Sequence, residues 1–121
     1  MMMDFSLELQ NTVAEVDRIV RAQLPKAEGP QKTVLDAMQY SVAAGGKRIR
    51  PLLVAKCYEL YKGRKGRSWD RFMTPIVEAA MGAMEMIHTF SLCHDDLPCM
   101  DGDKYRRGQE STWFKYGEDM G

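Results

Sequence analysis

Four carboxylates, Asp95, Asp96, Asp101 and Asp103, crowd into the nine residues Asp95-Asp96-Leu97-Pro98-Cys99-Met100-Asp101-Gly102-Asp103. Like charges this close disfavour joint ionisation unless a cation lies among them. Hard oxygen donors without a Cys–His pattern favour Mg²⁺ over zinc, and Mg²⁺ takes one or two carboxylates and fills its octahedron with water and substrate phosphate. A solvated acidic helix end is the plain alternative. Arg106-Arg107-Gly108 follows directly. Guanidinium groups bind phosphate oxygens bidentately, and glycine lets backbone approach closely. Acids that hold a metal beside arginines that hold phosphate suit a metal-bound diphosphate. The competing possibility is a surface ion-pair network, worth about 0–1 kcal/mol per pair.

A second basic cluster is Gly45-Gly46-Lys47-Arg48-Ile49-Arg50-Pro51. The glycines permit a tight turn, and Pro51 biases Arg50 towards extended backbone at the entrance to a helix. The free N–H groups of that helix start, with Lys47 and Arg50 beside them, make an anion site; a simple helix-flanking turn explains the residues equally well. The GxxxxGK[ST] phosphate loop is absent. His88 precedes Asp95 by seven residues, which puts the two on one helix face, roughly 20° apart. A lone histidine on an apolar helix is usually a core residue, but a shared face with the acids favours a functional one. His94 points roughly 100° from Asp95 and is given no role. Cys93, His94 and Cys99 match no standard zinc spacing.

Helices must position these groups. Phe5, Leu9, Val13, Val16, Val20 and Leu24 recur at steps of three or four, an amphipathic helix ending at Pro25. A second helix is predicted from Pro30, burying Val34, Leu35, Met38 and Val42 and stopping at Gly45-Gly46. A third starts with Pro51 in its first turn and runs to about Lys62; it is apolar nearly all round and should be largely buried. Lys62-Gly63-Arg64-Lys65-Gly66-Arg67 reads as a basic, solvated turn more than a nucleic-acid patch. Thr74-Pro75 supplies an N-cap and first-turn pair for a long, buried fourth helix that reaches Leu97 before Pro98. No period-2 alternation is visible, so the expected class is all-α. Tyr116-Gly117-Glu118-Asp119-Met120-Gly121 looks like a turn feeding acidic residues into a further helix. A domain rarely stops there, so a truncated chain is expected.

With 121 residues, the chain has single-domain length, and 45% apolar residues suit a globular protein. Seventeen basic and seventeen acidic residues cancel, so no global field draws it to nucleic acid or an anionic membrane. Met1-Met2-Met3-Asp4-Phe5 does not read as a secretory signal. The apolar stretch Ile76 to Cys93 is broken by Glu78, Glu85 and His88, too polar for a membrane span. Three cysteines without a CxxC pair suit a reduced, cytoplasmic protein.

Gly45-Gly46-Lys47-Arg48-Ile49-Arg50-Pro51, Met86-Ile87-His88-Thr89-Phe90-Ser91-Leu92, His94-Asp95-Asp96-Leu97-Pro98, Asp101 and Arg106-Arg107-Gly108 together resemble the trans-isoprenyl diphosphate synthases. Farnesyl and geranylgeranyl diphosphate synthases belong to that family, and the likeness runs from about Val34 to Gly121. It implies an antiparallel bundle of long helices around a deep apolar cavity, usually homodimeric, of which residues 1–121 are the first four or so helices, the N-terminal part of one domain. It implies that Lys47, Arg50, His88 and Arg107 bind isopentenyl diphosphate. Asp95 and Asp101 would hold Mg²⁺ on an allylic diphosphate, Asp96 would support them, and Arg106 would grip the same diphosphate. Phe90 resembles the aromatic that floors the cavity in short-chain members, implying a farnesyl or geranylgeranyl product. Glu110 and Trp113 stand where the family usually carries Pro and His. Members are more than twice this length and carry a second aspartate-rich motif that this chain lacks.

The implied activity is a prenyltransferase that elongates an allylic diphosphate with isopentenyl diphosphate. Two alternatives stand. A class I terpene cyclase shares the acid motif but lacks the Gly45–Pro51 type of segment. A non-catalytic helical diphosphate-binding or interaction module needs no distal acids.

Overall fold

The computed structural model describes residues 4–63 and 65–121. The expectations for Met1–Met3 and for Arg64 in the basic turn lie outside the described residues. Four main helices follow in order: α1 (Phe5–Ala22), α2 (Lys32–Ala43), α3 (Ile49–Lys62) and α4 (Gly66–Asp96). A two-residue hairpin, β1 (Tyr105–Arg106) and β2 (Gln109–Glu110), leads into the short α5 (Thr112–Tyr116) and a 3₁₀ turn at Glu118–Met120. The chain divides into two compact units, Met1–Gln23 with Lys47–Glu85, and Leu24–Gly46 with Met86–Gly121.

In the first unit, Asp4 caps α1 by accepting a hydrogen bond from the Ser6 amide at 3.0 Å. Only Val16 and Val20 of the α1 stripe are buried, where α1 packs on α3; Phe5 and Leu9 are exposed. The third helix departs from expectation. It starts at Ile49, so Arg50 is helical and not extended: Pro51 falls in the first turn, where its missing N–H costs no helical hydrogen bond, and Arg48, two residues before Arg50, caps the helix in left-handed backbone at φ 52°. Nor is α3 buried: Pro51 is its one buried residue, while Leu53, Leu60 and Tyr61 face solvent.

The fourth helix starts at Gly66, eight residues before the expected Thr74 cap, and carries Pro75 inside it. An interior proline removes a backbone hydrogen bond and costs about 3 kcal/mol. Side-chain links from α3 and the turn hold the added segment in place. The Tyr58 hydroxyl donates to Asp70 Oδ1 at 3.0 Å, Lys62 pairs with the same oxygen at 3.4 Å, and Lys65 lies over the Trp69 ring. Further along α4, Gly82 admits the Gln23 side chain, which would stand 2.6 Å from a Cβ there. The α4 surface is only partly buried. Met81, Gly82 and Glu85 are enclosed, whereas Ile76 and Ile87 are exposed.

In the second unit, α2 begins at Lys32 with Gln31 as its cap, two residues after the expected Pro30, which lies in the preceding turn. Ala37 and Val42 are its buried residues; Val34 and Met38 line a cavity instead. The hairpin is a small addition to the expected all-α class. Two-residue strands are too short to show alternation, and the turn between them is made by Arg107 and Gly108, both left-handed at φ 52° and 77°. Positive φ at both central residues is the mark of a type I′ turn, whose twist matches that of the flanking strands. The Tyr40 hydroxyl donates to the Glu110 carbonyl at 2.7 Å, which ties the hairpin to α2. The expected terminal helix is only the 3₁₀ turn, and α5, which was not foreseen, precedes it.

Candidate functional site

The end of α4 folds back on itself. The Asp101 amide donates to the Asp95 carbonyl at 2.9 Å, and the Gly102 amide to the Leu97 carbonyl at 3.0 Å, with Gly102 left-handed at φ 67°. This backbone clasp joins Asp95 to Asp101, six residues on, and both residues are exposed at the helix foot. Asp96 points the other way. It is 3% exposed, and its carboxylate accepts hydrogen bonds from Arg106 Nε and Nη2, both at 2.8 Å. That hydrogen bond, followed by the charges of Asp96 and Asp103, outweighs partial burial and raises the Arg106 guanidinium above its ordinary range, so it stays charged. Asp103 contributes through its backbone too: its carbonyl accepts from Ser111 Oγ at 2.7 Å and Trp113 Nε1 at 2.9 Å, which anchors the loop onto α5.

Arg107, at the hairpin tip, sends its Nη1 to the Gly45 carbonyl. Gly46 lies beneath the same guanidinium, and a Cβ there would stand 2.9 Å from Nη1. With φ at 134°, Gly46 also has backbone that side chains rarely adopt. The Gly45-Gly46 turn is thus shaped to receive Arg107.

An apolar cavity of about 450 Å³ opens between α2, α4 and α5, walled by Val34, Met38, Met86, Phe90, Cys93 and Thr112 among others. Phe90 is 67% exposed, and its ring centroid lies 6.0 Å from that of His94, which also lines the wall. The polar edge is a small cluster in which Ser41 Oγ and Thr112 Oγ1 share a hydrogen bond at 2.6 Å.

Among the described residues, no group of three or more His, Cys, Asp or Glu side chains converges as a ready-made metal cage. The donor chemistry nonetheless fits Mg²⁺, which needs only one or two carboxylates when phosphate and water complete its shell. Asp95 and Asp101 are exposed oxygen donors held by one clasp.

The sequence pattern of the polyprenyl synthetase family matches residues 31–121. The chain belongs to the polyprenyl synthetase family. It is 41% identical over 117 residues to geranylgeranyl pyrophosphate synthase 3 of Arabidopsis thaliana, covering 97% of this chain and 29% of that protein. It is 36% identical over 114 residues to farnesyl diphosphate synthase of Haemophilus influenzae, covering 94% of this chain and 36% of that one. A crystal structure of geranyltranstransferase from Thermotoga maritima superposes with a TM-score of 0.74 at 34% identity, over 93% of this chain and 38% of that chain. The chain therefore spans about a third of the length of the relatives it matches. Its fold is the all-α fold of these synthases.

Within this chain, the predicted site residues divide by unit. Asp95, Asp96, Asp101, Arg106, Arg107, His88 and Phe90 belong to the second unit; Lys47 and Arg50 belong to the first, and both are exposed. His88 is half-buried on α4. The sequence reading missed three features. The helix position of His94 points to no role, yet it lines the cavity, and no sequence pattern marks Ser41 or Thr112. Arg48 was treated as one more basic residue of its cluster, but it is 3% exposed and paired with Asp17 and Glu85. Glu85, one of two acids in the apolar Ile76–Cys93 stretch, is the available signal, since an acid buried in such a helix needs a cation beside it. No helix among the described residues is long and apolar enough to cross a membrane.

Proposed function

We propose that this chain carries the part with the first aspartate-rich motif of a prenyltransferase that joins an allylic diphosphate to isopentenyl diphosphate. The observation that carries this reading is the foot of α4, where the Asp95–Asp101 clasp, the Asp96-held Arg106 and the apolar cavity wall at Cys93 and His94 lie within a few turns of chain. Asp95 and Asp101 would hold Mg²⁺. Bound there, the ion would neutralise charge on the departing diphosphate. Arg106 commits Nε and Nη2 to Asp96, which leaves Nη1 for a diphosphate oxygen, so the fork is oriented before substrate arrives. Lys47, Arg50, His88 and Arg107 are the proposed ligands of isopentenyl diphosphate. In the reaction the allylic C–O bond breaks and its electron pair leaves with diphosphate. The double bond of isopentenyl diphosphate then attacks the allylic cation, and loss of a proton restores an alkene. An apolar wall that includes Phe90 would shield such a cation and set the room for the chain, which favours a farnesyl or geranylgeranyl product.

The homodimer belongs to the same proposal. So does a reducing compartment such as the cytoplasm, which is supported by Cys57, Cys93 and Cys99 being free thiols. The chain spans about a third of its relatives' length, so for residues 1–121 taken alone binding and turnover are separate outcomes. Calorimetric titration with dimethylallyl diphosphate, with and without Mg²⁺, together with a turnover assay using isopentenyl diphosphate, tests both. Mg²⁺-dependent binding with negligible turnover by residues 1–121 alone is expected. A chain that binds neither diphosphate would overturn the proposal, and robust turnover would show that the remaining two thirds of the relatives' length is dispensable.

A further inference from the structure

The run Lys47-Arg48-Ile49-Arg50 places three cations in four residues, yet they meet different fates. Lys47 and Arg50 are exposed, while Arg48 is 3% exposed. Arg48 Nε donates to Asp17 Oδ1 of α1 at 2.8 Å, and its Nη1 donates to Glu85 Oε1 of α4 at 2.9 Å. Glu85 is itself 4% exposed, and Asp17 is steadied by a second bond from Arg21 Nε at 2.7 Å. A charge this deep persists only when paired and hydrogen-bonded. Its backbone is as unusual as its burial. At φ 52° and ψ 31°, Arg48 occupies the left-handed region as the residue capping α3, with no side-chain hydrogen bond to that helix's first amides. A residue with a Cβ stays in that region only when its surroundings impose it. The two ion pairs are that imposition.

Resting on the diphosphate reading above, we propose that Arg48 is a positioning residue: clamped between Asp17 and Glu85, it holds the left-handed bend that turns Lys47 and Arg50 outward to bind the substrate diphosphate. Arg48 touches no substrate itself. Released from the clamp, its backbone relaxes to ordinary φ, and the start of α3 loses the geometry that separates one inward cation from two outward ones.

The test uses Arg48→Met with Glu85→Met, since apolar side chains of similar volume commonly replace a buried ion pair without loss of folding. Arg48→Lys, which keeps the buried charge but not the fork, serves as a second variant should the double one fail to fold. Melting and circular dichroism report the fold, calorimetry reports isopentenyl diphosphate affinity, and amide hydrogen exchange reports the backbone at residues 47–50. In a folded variant, exchange at those amides should quicken and affinity fall, each by about tenfold or more, with the amides around Met81 unchanged. Arg50→Ala should lose comparable affinity while leaving exchange at Lys47 and Arg48 untouched, which separates binding from positioning. A folded variant whose exchange matches the parent overturns the clamp, whatever the ligand does. Faster exchange in the variant, with no isopentenyl diphosphate binding by the parent chain, would support the clamp and sink the diphosphate reading instead.

Discussion

The Asp96 carboxylate receives a two-pronged grip from Arg106, Nε to Oδ2 and Nη2 to Oδ1, both at 2.8 Å, across the loop that joins α4 to the hairpin. Asp96 is buried while Arg106 remains about one-third exposed, so one end of the pair is fixed in protein and the other faces the region where the acids end. Of two adjacent aspartates, one faces outward and one serves as an anchor. Asp96→Asn keeps the shape and removes the charge. Charge-assisted hydrogen bonds contribute about 1.5–3 kcal/mol, so a loss of about 2 kcal/mol in unfolding free energy is expected by denaturant titration. Affinity for an allylic diphosphate should fall because Arg106 swings free. A variant with unchanged affinity would mean that Arg106 plays no part in binding it.

Asp95 and Asp101 make the opposite prediction. Both are exposed, and their clasp is a backbone hydrogen bond, so alanine at either position should leave the melting temperature nearly unchanged. Mg²⁺-dependent binding of dimethylallyl diphosphate should weaken by at least about tenfold, or 1.4 kcal/mol. Chelating the metal from the parent chain should reproduce that loss. Equal binding with and without chelator would remove the metal from the proposal.

Gly46→Ala tests the seat of Arg107. The new Cβ meets the guanidinium 2.9 Å away on backbone with φ 134°. Strain of this kind costs about 1–3 kcal/mol. Lower stability should come with weaker isopentenyl diphosphate binding, because Arg107 must leave its place on the Gly45 carbonyl. Stability and affinity both at parental values would show that the turn tolerates a side chain and does not position Arg107.

Tyr58 reports the early start of α4. Desolvation first, then the hydrogen bond and charge of Asp70, push its phenol above the ordinary value of 10.0. A raised folded-state value means that the protonated form is favoured by folding. Its contribution to stability is therefore complete below the unfolded value and is lost as pH climbs through the folded one. In an alkaline absorbance titration, one of the five tyrosines should ionise late, and Tyr58→Phe should abolish that late component. If the late component survives in Tyr58→Phe, the contact between Tyr58 and Asp70 is absent in solution.

Phe90 faces the cavity one helical turn and a residue before Asp95. In a catalytically competent protein carrying this segment, Phe90→Ala should lengthen the prenyl product, read by chromatography of the dephosphorylated alcohols. An unchanged product would place the chain-length limit elsewhere.

Sequence alone pointed to the family and the fold class of this chain. The acids, the arginines, the Gly-Gly turn and the apolar periods are local patterns, and each depends on neighbours a few residues away. They were enough to place the chain in the polyprenyl synthetase family and to expect an all-α fold. Helix starts were less legible, since the Thr74-Pro75 pair is a sound local start that contacts from Tyr58 and Lys62 to Asp70 overrode. The hairpin at Tyr105–Glu110 was too short to leave a period. Tertiary structure alone decided which charges face inward. Arg48 is indistinguishable from Lys47 and Arg50 by type, and Asp96 from Asp95. Burial separates them, because a charge leaves water only where a partner from a distant stretch meets it: Asp17 and Glu85 for Arg48, Arg106 for Asp96.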